Sequence, residues 1–342
     1  MLAAVFATFE YKNVAQDPPG VYTRWWDGTT QRVDVFYPNG KLKSTTTYGD
    51  DGKTVMIDVQ LTDQGAIIHS KVRQEDGKVL EKNFSEDGKV LLAKILWSGD
   101  ETYFVARQEF YEDGTLQSES IMTEDGQAPV SRRMFNPDGS LAMESKILAN
   151  ADQEAKQYLN GKVIHRSVFK ANADKIDEFY RPATGIISRR TTETALTKDV
   201  YNEVFDDEGN LVYSSLLPAA GGNVVNTVYF KGKIVLRQTA SNFLLTTVEE
   251  FSPGAANPRR KIELDGAGNP VKVYIYRPDG TLARVKTLQD GAVKSQADYD
   301  ASGTRVIHSQ PGGEPETISP DLLRPALPRL GEDPPSREQE QP

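Results

Sequence analysis

The sequence predicts an all-β chain: a long antiparallel up-and-down meander of about 23 short strands, built from hairpin repeats of about 24 residues and curled or spiralled rather than flat. Three observations predict it. Turn clusters recur on a steady beat between positions 28 and 303, about one per twelve residues. The segments between them run to about eight residues and are rich in Val, Thr, Tyr and Phe, with period-2 stretches such as Val55 to Leu61 and Val271 to Ile275. Alternate turns, which a meander places on opposite rims, differ systematically. A β-propeller of four-stranded blades is the fold alternative, but it would single out every fourth turn, and here every second turn stands out.

One set of alternate turns carries Gly40, Gly65, Gly88, Gly114, Gly139, Gly161, Gly185, Gly209, Gly232, Gly254, Gly280 and Gly303. All but Gly65 have an aromatic within five residues upstream, among them Phe36, Phe84, Phe110, Phe135, Phe205, Tyr276 and Tyr299. Most have Leu, Val or Ile two residues after the glycine. Asn-Gly and Asp-Gly supply the positive φ that two-residue and bulged hairpin turns need, and Pro38, Pro137 and Pro278 preset φ at the first corner. The aromatic and the following aliphatic flank one turn on paired strands, where their contact can hold the register. The other rim lacks this rule. There the clusters Ala149-Asn150-Ala151-Asp152 and Ala171-Asn172-Ala173-Asp174 replace glycine, and Asn is expected to take the left-handed position. The beat runs through Ala151 to Leu159, which favours a strand there over a helical turn.

The meander occupies residues 21–310. Residues 1–20 form an N-terminal segment whose apolar start, Met1 to Thr8, is read either as disordered or edge-strand chain or as the remnant of a signal or anchor segment. Residues 311–342 are rich in Pro and charge and read as a disordered tail, with apolar points at Leu322, Leu323, Leu327 and Leu330.

A net charge of −9 disfavours nucleic acid or anionic lipid as the main partner. No insertion of the repeat domain into a membrane is expected. The absence of cysteine excludes disulfides, thiolate catalysis and Cys-zinc sites. His69, His165 and His308 lie about a hundred residues apart, so neither a metal site nor a nucleophilic triad is expected, and solvated strand histidines are. Gly49 to Thr54 ends like a phosphate-binding loop but lacks the first glycine and precedes a strand, so it reads as a hairpin turn. No catalytic, cofactor or metal residues are assigned. The adjacent pair Trp25-Trp26 is read first as a cap on the first edge and otherwise as the one candidate partner contact, because neighbouring residues on a strand face opposite sides, so one indole faces outward.

The phrase Phe205-Asp206 with Gly209 and Leu211, and Tyr299-Asp300 with Gly303, resembles the YD repeat of bacterial RHS-type proteins. The phrase Phe36 to Lys43 is equally similar to the MORN-variant repeats of antitoxin-like bacterial proteins. Either resemblance implies a bacterial source and a non-catalytic scaffold at the cell envelope, with the cytoplasm as the alternative location. The expected function is a non-enzymatic repeat scaffold presenting a sheet surface to a protein or glycan partner. An antitoxin or immunity-like binder of a partner enzyme is the first alternative, and a carbohydrate-active enzyme on an elongated β-fold the second.

Overall fold

The structure, a computed structural model, describes residues 14–16, 20–26, 29–242, 244–309 and 318–324. Most of the expected N-terminal segment 1–20 and of the expected tail 311–342 therefore lies outside the described residues. The chain divides into two compact units. One comprises Met1–Ala149 with Glu154–Gly161, and the other Asn150–Gln153 with Lys162–Pro342.

Strands of the first unit are β1 (Val14–Gln16), β2 (Val21–Trp26), β3 (Thr29–Phe36), β4 (Leu42–Tyr48), β5 (Val55–Leu61), β6 (Ile67–Arg73) and β7 (Val79–Phe84). They continue with β8 (Leu91–Trp97), β9 (Phe104–Phe110), β10 (Leu116–Met122), β11 (Pro129–Phe135), β12 (Leu141–Ile147) and β13 (Gln153–Leu159). The second unit holds β14 (Lys162–Phe169), β15 (Lys175–Tyr180), β16 (Ile187–Glu193), β17 (Val200–Phe205), β18 (Leu211–Leu217), β19 (Val224–Phe230) and β20 (Lys233–Ser241). After these come β21 (Leu244–Glu250), β22 (Arg260–Leu264), β23 (Pro270–Tyr276), β24 (Leu282–Gln289), β25 (Ala292–Tyr299), β26 (Arg305–Ser309) and one helical turn, α1 (Pro320–Leu323). The 23 strands expected between the turns at 28 and 303 are β3 to β25; β1, β2 and β26 lie outside that interval. Residues 153–159 are strand, as the beat requires.

From β1 to β12 in the first unit, each strand pairs antiparallel with its neighbour in sequence. The same holds from β14 to β26 in the second. The propeller alternative is thereby corrected: blades would interrupt the pairing every fourth strand, and within each unit it is continuous.

The rim phrase does what its residues dictate. At the β3–β4 turn the Gly40 amide donates to the Tyr37 carbonyl at 2.9 Å and the Tyr37 amide to the Lys41 carbonyl at 2.8 Å. This is a tight turn closed by a bulge glycine, and it sets Phe36 directly opposite Leu42. The same pairing joins Leu61 to Ile67, Phe84 to Leu91, Phe110 to Leu116, Phe135 to Leu141, Phe205 to Leu211 and Tyr276 to Leu282. Tyr299 faces Arg305. At the two-residue turn Lys231-Gly232 the pairing shifts: Tyr229, not Phe230, faces Ile234, and Phe230 is left exposed.

All twelve glycines of this rim have φ between 72° and 93°. That range lies beyond the left-handed well near +50 to +70° that L-residues can enter. On the opposite rim Glu101, Ala151, Ala173, Lys198 and Asn242 take the left-handed position at φ of 50° to 66°, inside the well. One rim therefore holds a glycine in this range at each of its twelve turns, whereas the other mixes such glycines, Gly77 at 84° and Gly268 at 85° among them, with turns closed by L-residues. One expectation is corrected here. Asn150 and Asn172 do not take the positive φ; their side chains accept from the Asp152 and Asp174 amides, and the following alanines adopt it.

Hairpins on the same rim are also tied to one another. The residue just after the rim aromatic reaches the carbonyl at the equivalent aromatic position of the next hairpin. Tyr37 Oη donates to Leu61 O at 2.8 Å, Tyr111 Oη to Phe135 O at 2.8 Å and Arg181 Nη2 to Phe205 O at 2.7 Å, and Arg277 does the same to Tyr299 O. On the other rim the turn aspartates act alike. Asp152, Asp174 and Asp199 accept from the amides of Ala171, Ala195 and Ala219, each one turn further on.

The best-buried core lies in the second unit, where Leu236, Val248, Ile262, Val273 and Leu288 cluster, three of them wholly inaccessible. Residues 318–324, assigned to the tail by sequence, pack against it: Ile318 and Leu322 lie on the cluster and α1 against β21. Gln238 Nε2 donates to the carbonyls of Leu322 at 2.9 Å and Arg324 at 2.8 Å.

Candidate functional site

Strand alternation assembles a charged cleft in the first unit. Thr46, Asp58, Lys71, Glu81 and Ile95 stand directly opposite one another across β4 to β8, so their side chains share a face. His69 and Arg73 flank Lys71 at two-residue spacing on that face, and Trp97 faces Val79 beside it. The turn after β8 brings in Glu101 at φ 59°. Its carboxylate bridges Lys71 Nζ at 3.1 Å and Arg73 Nη2 at 3.1 Å. Thr46, Asp58, Lys71, Arg73, Val79 and Glu101 surround a cavity of about 200 Å³.

The electrostatics of this cleft hold Glu81 and Lys71 in their ionised forms. Burial works to raise the pKa of Glu81. Hydrogen bonds from Asn83 and from the Trp97 indole (2.8 Å), with the charge of Lys71 nearby, outweigh it and hold the carboxyl below its ordinary value. Burial likewise works to lower the pKa of Lys71, and Glu101 and Glu81 overcome it, so the amine is held as ammonium. A carboxylate held ionised is a poor general acid and an ammonium is no nucleophile. His69 sits with its ring nitrogens 3.8 Å from Asp58 and 3.5 Å from Glu81. It is not the solvated histidine expected from sequence.

His165 departs from that expectation too. In the second unit it stacks on Phe179 with centroids 4.5 Å apart, and the Arg189 guanidinium lies 4.3 Å from the same ring. Ser167 and Asp177 are beside it, the three groups a nucleophilic triad would need. The arrangement is different from a triad: His165 Nε2 is 3.4 Å from both Ser167 Oγ and Asp177 Oδ1, and the Ser167 hydroxyl donates to Asp177 rather than to the imidazole. One nitrogen facing both groups cannot take a proton from serine while the other is held by aspartate.

Ser167 and Asp177 begin a longer row. The pairing places Ser167, Asp177, Thr191, Asn202, Ser215, Asn226 and Gln238 opposite one another across seven strands. It then continues as Val248, Ile262 and Val273, the apolar cluster under α1. On the other face Arg166, Glu178, Arg190 and Glu203 alternate as an ion-pair ladder with contacts of 2.9, 3.0 and 3.1 Å. Counting outward from each rim turn finds these rows in the sequence, but only once the register is known.

The rim opposite the glycine rim carries a second feature in the second unit. Four consecutive turns each present a large apolar side chain: Phe169 (47% exposed), Leu196 (94%), Leu217 (40%) and Leu244 (52%). Exposed aromatics among the described residues do not form a row, since Phe169, Tyr201 and Phe230 belong to different rims and faces. Trp25 and Trp26 end β2 with their backbones opposite Thr30 and Thr29, and their side chains lie outside the described residues, as does that of His308. Because β1 pairs with Tyr22 to Arg24, β2 is not the first edge that the cap reading assumed. The remaining sequence-chosen residues are turn glycines and rim rings, which hold structure. Gly49 to Thr54 is a hairpin turn in which Asp51 accepts from the amides of Lys53 and Thr54.

A MORN repeat variant matches residues 35–50. These residues span the rim phrase at the β3–β4 turn. No curated protein matches the sequence. Among solved structures, the chain is similar to a TcdB2-TccC3 crystal structure at TM-score 0.20 and 10% identity, over 85% of this chain and 18% of that one. The Photorhabdus luminescens Tc holotoxin pore gives 0.17 and 13%, over 85% and 17%. A porin-like protein from Bacteroides uniformis gives 0.17 and 10%, over 66% and 91%. The chain thus spans under a fifth of the length of the two toxin-complex chains. No property of those proteins is carried over.

Proposed function

We propose that this chain is a non-catalytic repeat scaffold of bacterial type that binds a protein partner along the second unit's exposed apolar rim. The observation that carries the reading is the line Phe169, Leu196, Leu217 and Leu244, one apolar side chain per successive turn. Exposed large apolar side chains gathered along one rim favour a protein contact site. The charged cleft of the first unit supports the same reading, since Lys71 is paired with Glu101 and Glu81 and both Lys71 and Glu81 are held ionised. A glycan partner is less well supported, because stacking on sugars needs aromatics in a row. The YD-like phrase and a place at the cell envelope belong to this proposal as expectations from resemblance.

An antitoxin or immunity-like role is the second reading, favoured by the MORN-variant match at residues 35–50. Both readings are tested by capturing cross-linked partners from cells of the source organism with the wild-type chain and with the pair Leu196→Asp and Leu217→Asp. The scaffold reading expects a defined partner that the double variant loses while its β-sheet circular dichroism is unchanged. A partner retained by the double variant would contradict rim binding. If the lost partner is an enzyme inhibited by the chain, the second reading is the correct one.

A further inference from the structure

We propose that the apolar face of β20 to β24 is a docking groove for a short aliphatic peptide, and that residues 318–324 are its exchangeable resident. This deepens the binding reading above but concerns a different surface, so either can fail alone. The groove has an apolar floor, Leu236, Val248, Ile262, Val273 and Leu288, and one polar fixture, Gln238. Gln238 is 1% exposed, and its amide nitrogen donates to the carbonyls of Leu322 and Arg324. A buried amide aimed at main-chain carbonyls recognises a peptide backbone whatever its sequence, while the floor selects aliphatics.

What the groove accepts is visible in what fills it. Ile318 and Leu322 stand four residues apart and point at the floor, and the carbonyls at the end of the turn meet Gln238. The fitting partner is therefore a segment with aliphatics at i and i+4 followed by free carbonyls. The resident is lightly held. Its helix is a single turn without a side-chain cap, none of the turn's residues is fully buried, and among the described residues two aliphatics and one side-chain amide secure it. The floor beneath is wholly inaccessible at Val248, Ile262 and Val273. Departure of the segment would expose this apolar floor to water, so an open groove strongly favours a replacement of the same chemistry.

The test uses a fluorescein-labelled peptide of residues 316–326 and the full-length chain carrying Ile318→Asp and Leu322→Asp, which ejects the resident. Saturable binding at least ten-fold tighter to this variant than to the wild-type chain is expected, falling at least ten-fold again when Gln238→Leu is added. Equal binding to wild type and variant, or no saturable binding to a variant that keeps its β-sheet spectrum, would overturn the proposal and leave 318–324 as a fixed cover. Should the variant fail to fold, hydrogen exchange on the wild-type chain decides. Excess unlabelled peptide is expected to speed exchange at 320–324 several-fold while the β21 to β23 amides stay protected. Unchanged exchange at 320–324 would overturn it.

Discussion

At the scale of single residues, φ and charge state make the sharpest statements. Gly88 has φ 73°, and a Cβ there would lie 2.6 Å from Ala66 Cβ and 2.9 Å from the Ile67 carbonyl; Gly40 has φ 80° and open space around it. Gly40→Ala is expected to cost about 1 kcal/mol from backbone strain alone. Gly88→Ala, adding a clash with backbone, is expected to cost roughly 2–3 kcal/mol. Urea titration compares them directly, and equal costs would show that φ alone dictates the rim glycines. Glu178 carries the pH dependence. Burial works to raise its pKa, but bonds from Tyr180, Arg166 and Arg190 prevail and hold it below 4.5. A group depressed on folding stabilises the protein above its unfolded pKa, and that stability disappears as pH falls through the folded value. Glu178→Gln should therefore lower stability at pH 7 and flatten the loss of stability below about pH 4.5, read from urea midpoints across pH. Turn aspartates add to the acid limb in the same direction: Asp51 is held at about 2, first by the Thr54 hydroxyl and then by the amides of Lys53 and Thr54.

Among the elements, the hairpin is the unit of the sheet, and links between hairpins decide how firmly neighbours hold. The rim phrase is legible in the sequence because a turn is local: Pro38, Asn39 and Gly40 carry their own backbone preferences, and Leu42 follows at a fixed offset. The residue after the aromatic gives no such signal. Tyr37, Tyr111, Arg181 and Arg277 share only a reach to a carbonyl in the next hairpin, which is a property of the sheet. Tyr111→Phe should cost about 1 kcal/mol, one lost hydrogen bond to a carbonyl. Arg181→Ala should cost more, since Arg181 also bonds Asp206 O at 2.9 Å and the Ile187 carbonyl at 3.2 Å. Double-mutant cycles with the neighbouring hairpin's Leu211 test whether the coupling passes between repeats. The docking of residues 318–324 was illegible for a related reason. Its Pro-rich, charged setting argues for disorder, and the two aliphatics that matter gain meaning only from a floor formed by strands well upstream, from Leu236 to Leu288.

For the molecule as a whole, rows of function-bearing side chains emerge from register rather than from motif. His69 meets Asp58 and Glu81, and His165 meets Ser167 and Asp177, because strands about twelve residues apart in sequence stand side by side. Histidines about a hundred residues apart looked isolated only while the chain was read as a line. The same register divides the labour between two rims: one spends its residues on glycine, ring and aliphatic to set the pairing, and the other tolerates Lys198 or Ala173 and is free to present Leu196. That division is the central claim, and partner capture across the two rims tests it most directly. Leu196→Asp is expected to abolish capture with an unchanged melting temperature, whereas Phe205→Ala lowers the melting temperature and, below it, still captures the partner. Capture that survives Leu196→Asp but is lost in folded Phe205→Ala would contradict the account.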